Sequence, residues 1–308
     1  MDNQPKHEHK QQSPQEAGTK NWYDKSHKWL LVLPAAFLLF SIVYLAVFYS
    51  HNGDVIYKDV SLTGGTTVTV FDANADVDKL ASSLKTDFKD LEARKLSDIR
   101  TGKQAGFTIE TKEDMDKIKA ALENYLGYKL DDKNSSIEFS GAGLSTGFYQ
   151  QLKLAVGIAF VLMAIVVFII FRTFIPGGAV VLSAFADIVM TIVVVDMMGI
   201  NLSSAGVVAF LMLIGYSVDT DILLTSRVLK RKEGKLDERI FGAFKTGMTM
   251  TLTAVAAVLV CLIIIYNFSE TLRQIFTILL IGLGFDIFNT WITNASILKW
   301  YAEAKKIT

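Results

Sequence analysis

The chain has 308 residues, 51% of them hydrophobic, and its 31 basic and 31 acidic side chains cancel to no net formal charge. The apolar residues are gathered into long blocks, which excludes an ordinary soluble protein and points to a membrane protein. The single cysteine, Cys261, excludes an intrachain disulfide, and the four histidines (His7, His9, His27 and His51) sit near the N-terminal end with no metalloenzyme pattern.

Residues 1–28 are polar, rich in Gln, Lys, His and Ser, and read as a disordered cytoplasmic tail. Residues 29–49 form a first hydrophobic span, with Trp29 and Tyr49 as interfacial anchors and Pro34 kinking the helix near its start. The polar lead is too long for a cleaved signal peptide, and no small-x-small site follows.

Residues 50–150 are the one soluble block. Strand-like runs lie at 66–71, 93–100, 106–111 and 136–140. Helical periodicity covers 76–88 through Val77, Leu80, Leu84 and Phe88, and 113–125 through Met115, Ile118, Leu122 and Tyr125. The order β-α-β-β-α-β is that of a small ferredoxin-like α+β domain. It holds neither a nucleophile with a base nor a phosphate loop, so a binding or force-bearing module is expected rather than a catalytic one.

Five more spans follow, at about 152–171, 177–198, 202–224, 246–266 and 275–298, and residues 300–308 form a short tail. Lys and Arg near the span ends fall on one side: the N-terminal tail, Arg172, the basic loop 227–239, and Lys299, Lys305 and Lys306. Six transmembrane helices with both termini in the cytoplasm satisfy this pattern, with only Arg273 outside, and the soluble block is then extracytoplasmic.

The spans carry polar groups that a lipid-facing helix would avoid. Asp187 lies near mid-depth of the third span. Asp286 lies near mid-depth of the sixth, with Asn289 and Asn294 beyond it and Gly282 and Gly284 before. The fourth span reads Leu213-Ile-Gly-Tyr-Ser-Val-Asp-Thr-Asp-Ile-Leu-Leu-Thr-Ser-Arg227, and the fifth starts with Lys245, Thr249 and Thr253 on one face. At ~1.5 Å rise per residue, Asp219 is roughly 12 Å along the axis from Arg227, inside the bilayer if Arg227 marks its surface. Asp219 and Asp221 stand about 200° apart on a helical wheel, so they face different neighbours. Asp219 shares the side of Gly215 and Asp221 that of Ser217. One is expected to meet the fifth span and the other the third, the sixth or a partner. Asp219 facing Lys245 would make a proton donor–acceptor set. The alternative is that these groups only hydrogen-bond helices together. Asp196, at the end of its span, is expected to be solvated.

At these residues the chain resembles the SecF members of the SecD/SecF family of protein-export membrane proteins. Residues 213–219, read in register through Arg227, look like that family's fourth-span motif, and Ala186-Asp187 resembles its acidic site in the third span. Thr63-Gly64-Gly65 resembles the Thr-Gly-Gly motif at the head of its outer domain. Thr246-Gly-Met-Thr-Met-Thr251 resembles its threonine-rich start of the fifth span. Two positions depart from bacterial members: their Asn-Asp pair would place its acid at Thr220, and their basic residue at the start of the fifth span has no Arg counterpart here, Lys245 being the nearest substitute. Asp-Thr-Asp is similar to the archaeal form.

The resemblance implies a subunit pairing with a SecD-like partner in a cell membrane, assisting exported polypeptides through the Sec channel. Proton passage would involve Asp219, Asp221, Asp187, Lys245 and Thr220, with Gly215, Thr249, Thr253 and Asp286 as helix-packing or secondary polar groups. It implies no cofactor, no nucleic-acid partner and no enzyme activity. The alternatives are a small-molecule or lipid exporter half-unit of the same superfamily, a purely structural subunit, or an intramembrane protease using Asp187 and Asp286, for which no supporting residues are found.

Overall fold

The computed structural model describes residues 31–97, 101–230, 234–266 and 269–306. The tail 1–28, the anchor Trp29, the end of the second expected strand and part of the basic loop after Lys230 lie outside the described residues. Among the described residues, six helices are long and apolar enough to cross a membrane. The first, α1 (Val32–Asn52), ends where Gly53 adopts φ +71° and returns its N–H to the Tyr49 carbonyl. A one-turn helix, α2 (Val60–Thr63), follows; it is too short for hydrophobic periodicity to reveal. Asp59 caps it, accepting from the Ser61 N–H and hydroxyl. Burial raises the Asp59 carboxyl above its ordinary value, against the lowering effect of those bonds.

The soluble block contains β1 (Gly65–Val70), α3 (Val77–Leu84), β2 (Glu92–Ser97), β3 (Gln104–Thr111), α4 (Met115–Leu126) and β4 (Ser135–Ser140). The sheet order is β2-β3-β1-β4 and every neighbouring pair is antiparallel. In this register Val68 lies between Ile109 and Ile137. Val68, Val70, Leu80, Phe107, Ile109, Ile118 and Leu122 are fully buried between the sheet and the two helices. Each contributes on the order of 1.5–3 kcal/mol by leaving water.

The chain then enters α5 (Ala142–Phe171), which begins ten residues before the span expected from hydropathy. The remaining helices are α6 (Phe174–Met197), α7 (Ser204–Lys230), α8 (Leu236–Ile265) and α9 (Glu270–Phe288). A π-helical segment, Asn289–Asn294, and α10 (Ala295–Ala304) continue α9 without a break. The helix α7 runs through Arg227 to Lys230 instead of ending at residue 224, and α8 starts ten residues early. Helical hydrogen bonding persists past the apolar stretch, so hydropathy alone underestimates these lengths.

Six spans arrange as three inside three. The most apolar stretches of α6, α7 and the α9–α10 unit are 61%, 56% and 44% buried, against 17%, 11% and 6% for α1, α5 and α8. The inner helices approach closely: a Cβ added to Gly282 would lie 2.4 Å from a Leu213 methyl, so glycine lets α9 press against α7. Gly284, grouped with it on sequence, faces open space.

The sheet domain is stitched to the bundle at one end. In the strap between α1 and α2, Leu202 N–H donates to the Tyr57 carbonyl at 2.7 Å and Asp59 N–H to the Leu202 carbonyl at 3.1 Å. Ser204 N–H donates to Ser61 Oγ at 2.9 Å, and the Asn201 amide reaches Glu92 on β2. Thr63, Gly64 and Gly65 form the joint between α2 and β1. Gly64 (φ +86°) abuts the Ala142 backbone at the start of α5, and Gly65 (φ +150°) abuts the Thr111 carbonyl oxygen. A Cβ at these glycines would sit at 2.4 and 2.3 Å from those atoms.

Candidate functional site

The centre of the bundle is built from steps of four residues on three helices. Along α6 the step carries Ser183, Asp187 and Thr191; along α7 Leu213, Ser217 and Asp221; along α9 and its π segment Asp286, Thr290 and Asn294. All are buried, and Asp187, Asp221 and Asp286 are 0% exposed. The π segment closes an i→i−5 bond from Ala295 N–H to the Thr290 carbonyl. Its wider turn reduces the drift between residues four apart, which keeps Asp286, Thr290 and Asn294 on one line; such segments recur at functional sites.

The three carboxyls share one hydrogen-bond network. Asp187 Oδ2 accepts from Ser217 Oγ at 2.5 Å and its Oδ1 from Asn289 Nδ2 at 2.7 Å. Asp221 Oδ1 accepts from Thr290 Oγ1 at 2.8 Å and from Asn294 Nδ2 at 2.7 Å. The same Thr290 hydroxyl is 3.2 Å from Asp286 Oδ1. It has one proton, so it serves Asp221 or Asp286 at a time and links the two acids. Asp221 Oδ2, Asp286 Oδ2, Ser183 Oγ and Asn294 Oδ1 are buried with no hydrogen-bond partner among the described residues.

No ion pair among the described residues reaches these acids. Two buried basic side chains are engaged at the far end of the bundle from the sheet: Lys299 pairs with Asp237 at 2.8 Å, and Arg239 donates to the Val228 carbonyl at 3.3 Å. Arg227 donates to the Gly242 carbonyl at 2.6 Å and fastens α7 to α8. Three carboxyls are thus packed together in an apolar bundle without a compensating cation, an arrangement in which full ionisation is prohibitively costly. Among the described residues, no group of three or more His, Cys, Asp or Glu side chains is arranged to hold a metal ion.

The two acids of the fourth-span motif part company as the helical wheel requires. Asp221 meets the third and sixth spans, whereas Asp219 faces outward and is exposed. Lys245 is also exposed, and it forms no ion pair with Asp219 among the described residues, so the expected donor–acceptor set is not formed within this chain. Gly247 packs against Thr220 and Trp291, which brings α8 past α7 with Lys245 and Asp219 at neighbouring levels. Thr220 is buried, but its hydroxyl turns back to the Tyr216 carbonyl at 3.5 Å and takes no part in the carboxyl network. Thr249 and Thr253 are exposed and bond back to Lys245 and Thr249 carbonyls of their own helix, so they do not glue helices within this chain. Gly215 faces open space.

Asp286 moves from a secondary place to the centre, and Ser217, Asn289, Thr290 and Asn294 join it. The repeated polar step of four on three spans was the available signal. The expectation that Asp196 is solvated is overturned: it is 3% exposed, because the strap between α1 and α2 covers the end of α6. Thr63, Gly64 and Gly65 lie at the domain joint, away from the carboxyl network.

The model of the protein export membrane protein SecD/SecF C-terminal family matches residues 118–304. The protein-export membrane protein SecF of Methanocaldococcus jannaschii is 40% identical over 296 residues, covering 92% of this chain and 99% of that protein. SecF of Methanolacinia petrolearia is 39% identical, covering 90% of this chain and 94% of the relative. Among solved structures, SecDF of Thermus thermophilus, described as a translocon-associated membrane protein, superposes with a TM-score of 0.67 at 16% identity. The match covers 90% of this chain but 38% of that longer one, and at this identity it shows the fold. The chain therefore belongs to the SecD/SecF family of protein-export membrane proteins, as a multi-pass SecF of the archaeal type.

Proposed function

We propose that this SecF works with a SecD-like partner to assist polypeptides through the Sec channel, driven by protons that bind at Asp187, Asp221 and Asp286. The observation that carries the reading is the cluster of three buried carboxyls with no ion pair to a cation among the described residues, two of them, Asp221 and Asp286, joined through the single hydroxyl of Thr290. Such a group stores protons more readily than charges, and movement of the Thr290 hydrogen bond between Asp221 and Asp286 makes or breaks its tie from the sixth span to α7. Both termini lie in the cytoplasm in this reading, and the sheet domain is extracytoplasmic. Its antiparallel order β2-β3-β1-β4 with the sequence β-α-β-β-α-β supports a ferredoxin-like module that touches the emerging polypeptide.

Asp219, Lys245, Gly215, Thr249 and Thr253 form the face toward the partner. Charged side chains exposed at membrane depth are costly against lipid, so this surface is covered in the assembled state. The solved SecDF chain, more than twice as long as the matched part, supports a SecD-like body in that place.

The test is export by membranes carrying single Asp→Asn substitutions, with the SecD-like partner co-purified from each. Asp221→Asn, Asp187→Asn and Asp286→Asn are expected to abolish proton-driven export while leaving the pair intact. Asp219→Asn is expected to weaken recovery of the partner. Full export from all three buried-site variants would sink the proton reading, and purification of the chain without a SecD-like protein would sink the pairing.

A further inference from the structure

A fourth acid, Asp196, has no place in the mid-bundle network. It lies nine residues beyond Asp187, or about 13 Å further along α6. It is 3% exposed, and neither carboxyl oxygen has a hydrogen-bond partner among the described residues. It also occupies the last turn of α6, where the carbonyl ends of the helix repel negative charge.

The strap explains its burial. Tyr57 is bridged to Leu202 through the backbone, and its ring meets Phe48 of α1 edge-on at 4.8 Å. The titratable groups around Asp196 are Tyr44 on α1, Asp54 on the strap and Tyr149 on α5, and the Tyr57 backbone N–H points at it from the strap. The nearby cations serve other groups: Lys58 pairs with Asp54 at 3.0 Å, and Lys58 and Lys153 stand over the Tyr149 ring at 5.0 and 4.5 Å. Tyr149 donates to Asp54 Oδ1 at 2.9 Å. His51 turns back to Val47 of its own helix. An ionised Asp196 would thus be a buried charge facing no cation, with the Tyr57 backbone N–H as the donor beside it.

We propose that Asp196 is a second proton-binding site, at the sheet end of the bundle, and that the proton it carries keeps the strap docked on the α6–α7 turn. Loss of that proton creates a buried charge that the single Tyr57 N–H does not offset, and water reaches it when the strap lifts. The site thereby ties the attachment of the sheet domain to pH on its own side of the membrane, whether or not the mid-bundle acids carry protons. Asp54 sets the opposite limit. Its partial burial acts to raise its carboxyl, but bonds from Lys58, the Val55 N–H and Tyr149 outweigh this and hold it below its ordinary value. Its contribution to docking is present above the ordinary carboxylate value and is lost as pH falls through the lowered one.

Amide exchange at Leu202 and Asp59, the two N–H groups of the docking bridge, tests this in the purified full chain. Dividing the wild-type rate by that of Asp196→Asn removes intrinsic base catalysis. The quotient is expected to rise with alkalinity by up to about tenfold per pH unit, the slope for loss of one proton on opening; a pH-independent quotient overturns the proposal. Infrared spectra should show a protonated-carboxyl C=O band at neutral pH that is missing in Asp196→Asn, and its absence from the wild type also overturns it. If the Asn variant does not fold, the wild type alone decides. Bleaching of that band must coincide with loss of Leu202 protection, and separate transitions refute the link.

Discussion

The molecule has two cores built on opposite rules. The core of the sheet domain is an apolar cluster in which Val68, Leu80, Phe107, Ile109, Ile118 and Leu122 pack together, and its buried polar side chains are the neutral hydroxyls of Thr66, Thr111 and Ser135. The centre of the bundle places Asp187, Asp221 and Asp286 at the same 0% exposure. The first is the interior of a protein that folds by leaving water, and each of its residues stabilises it. The second lies among helices already shielded from water, where apolar side chains would pack at least as well and carboxyls cost free energy. The difference teaches where to look for function: the domain core is there to hold a shape, and the bundle core retains groups that a shape does not need.

Substitutions of opposite chemistry separate the two cores. Phe107→Ala removes a fully buried ring at the middle of β3 and is expected to cost the sheet domain about 3–5 kcal/mol. Limited proteolysis should then cut residues of the domain while the helices survive. Asp286→Leu, in contrast, is expected to be neutral or to stabilise the bundle by ~1–4 kcal/mol, since Thr290 keeps its bond to Asp221. Thermal unfolding in detergent measures it, and export by the same variant should be lost. A bundle weakened as severely as the domain is by Phe107→Ala would make Asp286 a structural group and erase the contrast.

How much of each core was legible follows from the same contrast. Alternation in Val68 and Val70 and the helical spacing of Ile118 and Leu122 mark the domain core directly, because a half-buried element must alternate between solvent and interior. The bundle spans are apolar all round, so hydropathy finds the helices but does not tell inside from outside. That is why Asp219 and Asp221 could be assigned to opposite faces without saying which of them turns inward: the wheel fixes the angle between them, and only packing says which side is inner. The burial of Asp196 was illegible for another reason. It depends on a strap some 140 residues earlier in the chain, whose bridge to Leu202 is made by backbone groups that carry no sequence pattern.

The joint between the two regions is expected to respond more mildly. Gly65→Ala forces a side chain onto a backbone at φ +150°, with the Thr111 carbonyl oxygen 2.3 Å from the new Cβ. A destabilisation of about 1–3 kcal/mol is expected. It should appear as faster amide exchange in β1 and β3, with the centre of α7 unchanged. Equal loss of protection in α7 would show that domain and bundle unfold as one unit.

The smallest effect lies on the domain surface. Tyr128 donates to Asp72 Oδ2 at 2.8 Å. Its phenol is pushed up to about 12, first by burial and then by the bond to Asp72 and the negative charge of that carboxylate. The raised value means the folded domain holds this proton more tightly than the unfolded chain does. Its contribution is therefore fully present below the ordinary phenol value of about 10 and disappears as pH rises toward 12. Because the side chain is largely solvated, the whole bond is worth no more than about 0.5–1.5 kcal/mol. Tyr128→Phe should lower the melting point of the domain slightly at neutral pH, and the gap from wild type should close in strong alkali. A gap that instead widened with pH would mean the phenolate is the form the fold prefers, and the bond to Asp72 would have to be abandoned.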